Sequence, residues 1–163
     1  VIAGLFDFHS LNGTAPADAP DAGQKRAEIV ISNNGDADGG PSSRLGEPTC
    51  SREVIRDVRS ALEAEGFHVS INNPYQGGFI TVHYGRQLAA LGKFAIQVEM
   101  NQDLYLDERG MDVDQAKAET VRRRIHAAFE RIAGLCSKGE DLIHQLCPAP
   151  HAKKPGQGPG FCI

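Results

Sequence analysis

The chain has no C-x-x-C pair, no apolar run approaching a membrane span, no excess of basic charge and no internal repeat. Each absence excludes something. Without paired cysteines a structural zinc knuckle is not expected. Cys50, Cys136, Cys147 and Cys162 are scattered through 163 residues, which reads as free thiols in a reducing cytoplasm, not as a disulfide framework. Without some 20 consecutive apolar residues there is no membrane helix to expect. With 17 basic against 21 acidic side chains, the chain lacks the basic face that phosphate-backbone binding demands, so no nucleic-acid partner is expected. The start has neither a basic region nor a small-residue cleavage site, so no signal peptide is read there.

Hydrophobic residues make up 40% of the chain and charged residues 23%, a balance typical of one globular domain. Val1 to Phe8 is an apolar run without helical periodicity and predicts a strand buried on both faces. Ala27 to Ser32 predicts a second strand. Between them, and again from Asn33 to Thr49, lie long loops rich in glycine and proline. Ser51 is an N-cap, and Arg52 to Glu65 carries an apolar stripe of Val54, Ile55, Val58 and Leu62 closed by Gly66. Strands are predicted at Phe67 to Asn72, Phe79 to Tyr84 and Phe94 to Asn101. A long helix runs from Asp112 to Cys136, with Leu142 to Leu146 adding a turn. The alternation predicts an α/β fold, a layered mixed and mostly parallel sheet with flanking helices. The domain spans 1–147, and 148–163 reads as a disordered Pro/Gly-rich tail. The chain opens inside a predicted core strand, which suggests truncation at the N-terminus and self-association through the exposed edge.

Several groups of residues carry chemistry. Asp7 and His9 share one face of the first strand by its period of two. A histidine at a strand end can ligate a metal, oriented by a nearby carboxylate. Gln97, Glu99 and Asn101 form a polar stripe on an otherwise apolar strand. Such burial costs several kcal/mol unless every group is paired. A satisfied hydrogen-bond network between layers and a general base are both consistent with it. After the turn Asn73-Pro74-Tyr75-Gln76-Gly77-Gly78, Thr81 and His83 are expected on one strand face, with Arg86 past the strand's end. There a guanidinium can clamp a carboxylate. Cys50 stands next to a helix N-terminus, whose dipole lowers a thiol's pKa. With no histidine placed beside it, it reads as a structural thiol.

Five segments occur together in order: Asp7-Phe8-His9-Ser10; Gly35-Asp36-Ala37-Asp38-Gly39 through Thr49-Cys50-Ser51; Asn72 through Thr81; His83-Tyr84-Gly85-Arg86; and Gln97-Val98-Glu99-Met100-Asn101 leading into Leu104 to Glu108. In this the chain resembles the N-formylglutamate amidohydrolase family. The resemblance implies a zinc-carboxypeptidase-like (phosphorylase/hydrolase-like) α/β fold. It also implies a divalent metal, zinc, and hydrolysis of N-formyl-L-glutamate in histidine breakdown. Carried over, His9 is a metal ligand and Glu99 the general base. Arg86 grips a substrate carboxylate, and Asn73, Tyr75, Thr81 and His83 line the pocket. The family's other metal ligands are expected in a segment before Val1. A non-catalytic fragment of such an enzyme, or a zinc deacylase or carboxypeptidase for another N-acyl substrate, is the alternative.

Overall fold

A computed structural model describes residues 4–107 and 111–146, with the side chains of 136–146 left undescribed. The predicted tail of 148–163 lies outside the described residues. Four strands form one sheet: β1 (Gly4–Leu11), β2 (Ile29–Ser32), β3 (Val69–Ile71) and β4 (Phe94–Asn101), in the order β1-β4-β2-β3. β1 runs parallel to β4 and β2 parallel to β3, while β2 and β4 are antiparallel. The sheet is therefore mixed, with two parallel pairings of three, as the alternation of elements predicted.

One face of the sheet is apolar. Ile29, Ile31, Val69, Ile71, Ile96 and Val98 are buried there against two helices, α1 (Arg52–Ala64) and α3 (Gln115–Leu146). Helix α1 starts where its cap requires, with the Ser51 side chain accepting from the Val54 N–H. It buries Ile55, Val58, Ala61 and Leu62, the expected stripe with Ala61 added. Gly66 follows at φ +82°, the left-handed conformation that ends a helix cheaply only with glycine. Helix α3 contributes Val121, Ala128 and Ile132 to the core. It continues without a break through Leu142 to Leu146, so the separate turn predicted there is part of one helix.

Two expectations are overturned. β1 is not buried on both faces. It is an edge strand among the described residues, and Phe8, His9 and Ser10 along it are exposed. Asp7 and His9 consequently lie within the strand, not at its end. The segment Phe79 to Tyr84 is not a strand. It opens helix α2 (Phe79–Ala89), which crosses the second face of the sheet. Positions two apart lie on opposite sides of a helix. Thr81 is accordingly fully buried while His83 is exposed.

Small residues let α2 lie close. At Gly85 a Cβ would stand 2.5 Å from Thr49 Cγ2 and 3.4 Å from Ala95 Cβ. Thr49 cannot retreat easily, because its hydroxyl donates to the Ala95 carbonyl at 2.6 Å in the buried interior. Gly85→Ala is therefore expected to destabilise the fold by about 1–3 kcal/mol, the usual range for overpacking. Urea unfolding checks this, and an unchanged midpoint would show that α2 is free to shift.

Candidate functional site

The second face of the sheet is polar, and the parallel register of β1 on β4 builds it. Asp7 lies beside Gln97, His9 beside Glu99 and Leu11 beside Asn101. On the other flank Val30 pairs with Glu99 and Ser32 with Gln97. Alternation puts all of these on one face. Gln97, Glu99 and Asn101 are each buried, and each is answered. Gln97 Nε2 donates to Glu99 Oε1 at 2.7 Å, and the Gly78 N–H donates to Gln97 Oε1. The Asn101 amide donates to the Ala27 carbonyl, and its oxygen accepts the Asp103 N–H at 2.9 Å. Among the described residues no buried side-chain nitrogen or oxygen lacks a partner.

Helix α2 closes one end of this face. Its first residues stand over Gln97, Thr81 stands over Asp7, and Gly85 reaches Ala95, so it runs against the direction of β4. Thr81 Oγ1 donates to Asp7 Oδ2 at 3.1 Å. The other oxygen of Asp7 meets His9 Nε2 at 2.9 Å, with the Asp7 side chain 10% and the His9 side chain 43% exposed. The predicted carboxylate–imidazole pair is therefore present, and it is steadied by a hydroxyl from another element. Glu99 lies next to His9 in register on the neighbouring strand.

Beyond the carboxyl end of β1, Tyr75 packs on Leu11, Ala27 and Val30 and forms a wall of the same face. Its carbonyl accepts the Ser32 hydroxyl at 2.6 Å. The turn that carries it is braced through Asn72, whose side chain binds the backbone N–H and the side-chain oxygen of Asn33. Asn73 precedes a cis peptide bond to Pro74 and is exposed, its carbonyl accepting from Ser70.

The remaining predicted residues stand apart. His83 is stacked on Phe79 at 5.1 Å on the solvent side of α2 and bonds Gln87. Arg86 lines a cleft of about 380 Å³ with Leu45, Glu47 and Val82. Its neighbour Gly85 lies over Ala95, four residues before Glu99 and so about 13 Å back along the strand. The structure thus gathers His9, Glu99 and Thr81, with Tyr75 on their flank, and does not bring His83 or Arg86 to them. Cys50 is buried behind α1's N-terminus. Desolvation outweighs the dipole and pushes its thiol up to about 12, against the lowered pKa expected.

Two residues without a signal in the sequence, Arg26 and Asp21, belong here, and Asp7, expected as the partner of His9, is the hub of two side chains. Arg26 and Asp21 form a two-pronged ion pair beside Tyr75. The pair is separated from Tyr75 by about 50 residues of chain, which leaves no local signal. For a metal, the donor set is short. Among the described residues no three His, Cys, Asp or Glu side chains stand together as a cation site. A catalytic zinc takes three protein ligands, so the described residues by themselves do not fit one.

The fold is thus a mixed α/β sheet with an apolar face packed on α1 and α3 and a polar, carboxylate-bearing face crossed by α2. The family profile described as N-formylglutamate amidohydrolase matches residues 2–106. The chain belongs to that family. It is also similar in fold to a solved N-formylglutamate amidohydrolase from Ralstonia eutropha JMP134, at 21% identity and a TM-score of 0.58. That similarity covers 82% of this chain but only 43% of the other, so the chain spans less than half of that protein's length. No curated protein matches the chain significantly. No helix among the described residues is long and apolar enough to cross a membrane.

The Arg26 guanidinium holds the Asp21 carboxyl below its ordinary value of 3.8. A depressed folded pKa contributes stability above the ordinary value and loses it as pH falls through the folded one. Asp21→Asn is therefore expected to be less stable than the parent near neutrality, with the gap closing below about pH 4. Thermal melts across that range test this, and a gap independent of pH would mean the pair contributes packing alone.

Proposed function

We propose that this chain supplies the general-base side of a site that hydrolyses the formyl amide of N-formyl-L-glutamate, giving formate and L-glutamate. Family membership supports the reaction, and one observation supports the assignment of roles. Glu99 is a carboxylate only 8% exposed, set in register beside a half-exposed His9 on the same polar face. A core strand bears the cost of such a carboxylate readily only where it is used or fully paired. Gln97 satisfies one of its oxygens.

In this reading Glu99 takes a proton from water as the water oxygen bonds to the formyl carbon. It returns that proton to the amide nitrogen as the C–N bond breaks, leaving formate and the free amine. Thr81 and Asp7 hold His9 in place, and Tyr75 limits the pocket. His9 is proposed as one donor to a divalent metal, zinc, with further donors lying outside the described residues. A place in histidine breakdown in the cytoplasm follows from the same reading.

The 43% span and the short donor set favour a second reading, in which this chain is part of a site and does not turn over alone. Formate release from N-formyl-L-glutamate, with zinc supplied, separates the two. Turnover supports a complete site. None from the folded chain supports the partial one. Where turnover is found, Glu99→Gln is expected to lower it by about 10²–10⁴-fold, the usual contribution of a general base. Its circular dichroism should not change, since the amide can keep the Gln97 contact. Undiminished formate release would remove Glu99 from the role.

A further inference from the structure

The Arg26 side chain is almost fully enclosed, 3% exposed. Asp21 holds it by two bonds, Nε to Oδ2 at 2.8 Å and Nη2 to Oδ1 at 2.7 Å. Two parallel bonds fix the plane of a guanidinium as a single contact cannot. From that fixed plane Nη2 also donates to the Tyr75 hydroxyl at 3.1 Å, and the guanidinium carbon lies 5.3 Å from the Tyr75 ring centroid. Arg26 Nη1 reaches the Asn12 carbonyl, just past the end of β1, at 3.5 Å.

Tyr75 is thus held at three points. Ser32 fixes its carbonyl, Leu11 and Val30 support its ring, and Arg26 fixes its hydroxyl. Two of these supports are direct neighbours of the site. Val30 pairs with Glu99, and Leu11 lies two residues beyond His9 on the same face. Because Arg26 occupies the acceptor side of the phenol, its proton remains for another partner. A ring pinned at its polar tip cannot swing off that wall, and the tip is the one point where the fold does not grip it through backbone or apolar contact.

We propose that Arg26, oriented by Asp21, is a positioning residue that fixes Tyr75 as a substrate-facing wall of the Glu99 site and so sets how tightly the acyl amino acid is held. This rests on the hydrolase reading above. It needs no contact between Arg26 and substrate.

Two measurements test it. The chain has only three tyrosines, so aromatic NMR with labelled tyrosine resolves Tyr75, assigned through Tyr75→Phe. Arg26→Met is expected to shift or broaden the Tyr75 ring signals and leave those of Tyr84 and Tyr105 in place. Arg26→Lys, which keeps the charge but loses the fork, is expected to do the same and serves if the methionine variant does not fold. Unmoved Tyr75 signals in a folded variant would overturn the proposal. In protein that turns over, Arg26→Met and Tyr75→Phe should each raise KM about tenfold with kcat nearly unchanged, the scale of one charged hydrogen bond. The double variant should be no worse than either alone. Additive losses, or a fall in kcat alone, would overturn it. If the parent releases no formate, the partial-site reading holds, and the ring signals alone decide whether Arg26 positions Tyr75.

Discussion

The in-register parallel pairing of β1 with β4 is the constraint on which the site depends. A slip of one residue would turn Asp7 and His9 to the apolar side and bring Phe6 and Phe8 onto the polar one. In the observed register Phe6 packs on Phe94 and Phe129, at centroid distances of 5.6 and 4.8 Å. Phe8 also reaches Phe129, at 5.5 Å. Helix α3 therefore locks the register from behind through aromatic contacts. What it locks on the other face is Asp7 against Gln97 and His9 against Glu99. Core packing on one side of the sheet becomes polar geometry on the other.

Helix α2 depends on that geometry in turn. It buries little of its own, only Thr81 and Gly85, and leaves Phe79, Ile80 and Tyr84 exposed. Its attachment is polar and short-range. The Gly78 N–H meets Gln97, the Thr81 hydroxyl meets Asp7, and Gly85 allows approach to Thr49. A helix held this way is placed by the polar groups of the sheet, not by an apolar stripe. The same groups that make the site expensive to bury also fix the element that closes it.

This explains what was legible in the sequence and what was not. Helix α1 announced itself through Ser51, the stripe from Ile55 to Leu62 and Gly66, because each of those signals is local. The shared face of Asp7 and His9 and the polar stripe of β4 were legible from the period of two. Helix α2 was misread because Phe79, Ile80, Thr81, Val82 and Tyr84 are β-branched or aromatic, a strand composition by propensity. Its N-cap Gly78 makes no side-chain cap bond, so the usual start signal is missing. Tertiary contact overrode propensity, and with it fell the expectation that Thr81 and His83 act together. Arg26 was invisible for a different reason. Its meaning comes from Tyr75, brought from the far side of the chain by the β2–β3 crossover, and no spacing rule reaches that distance.

The distribution of charge on the polar face bears on how the site works. Glu99 and Asp7 bear carboxyl groups, and the Arg26 guanidinium beside Tyr75 is already committed to Asp21. Arg86 lies on the far part of α2, in its own cleft with Glu47. On the proposed reaction, a dicarboxylate substrate beside Glu99 would meet the carboxyl groups of Glu99 and Asp7, with the Arg26 guanidinium already paired to Asp21. Like charges at close range disfavour binding, most of all where water is excluded. On the proposed reading, Glu99 serves to activate water, and the hold on the substrate rests on the Tyr75 wall that Arg26 steadies. The proposed base and the proposed wall therefore share one polar face, held by the same strand pairing.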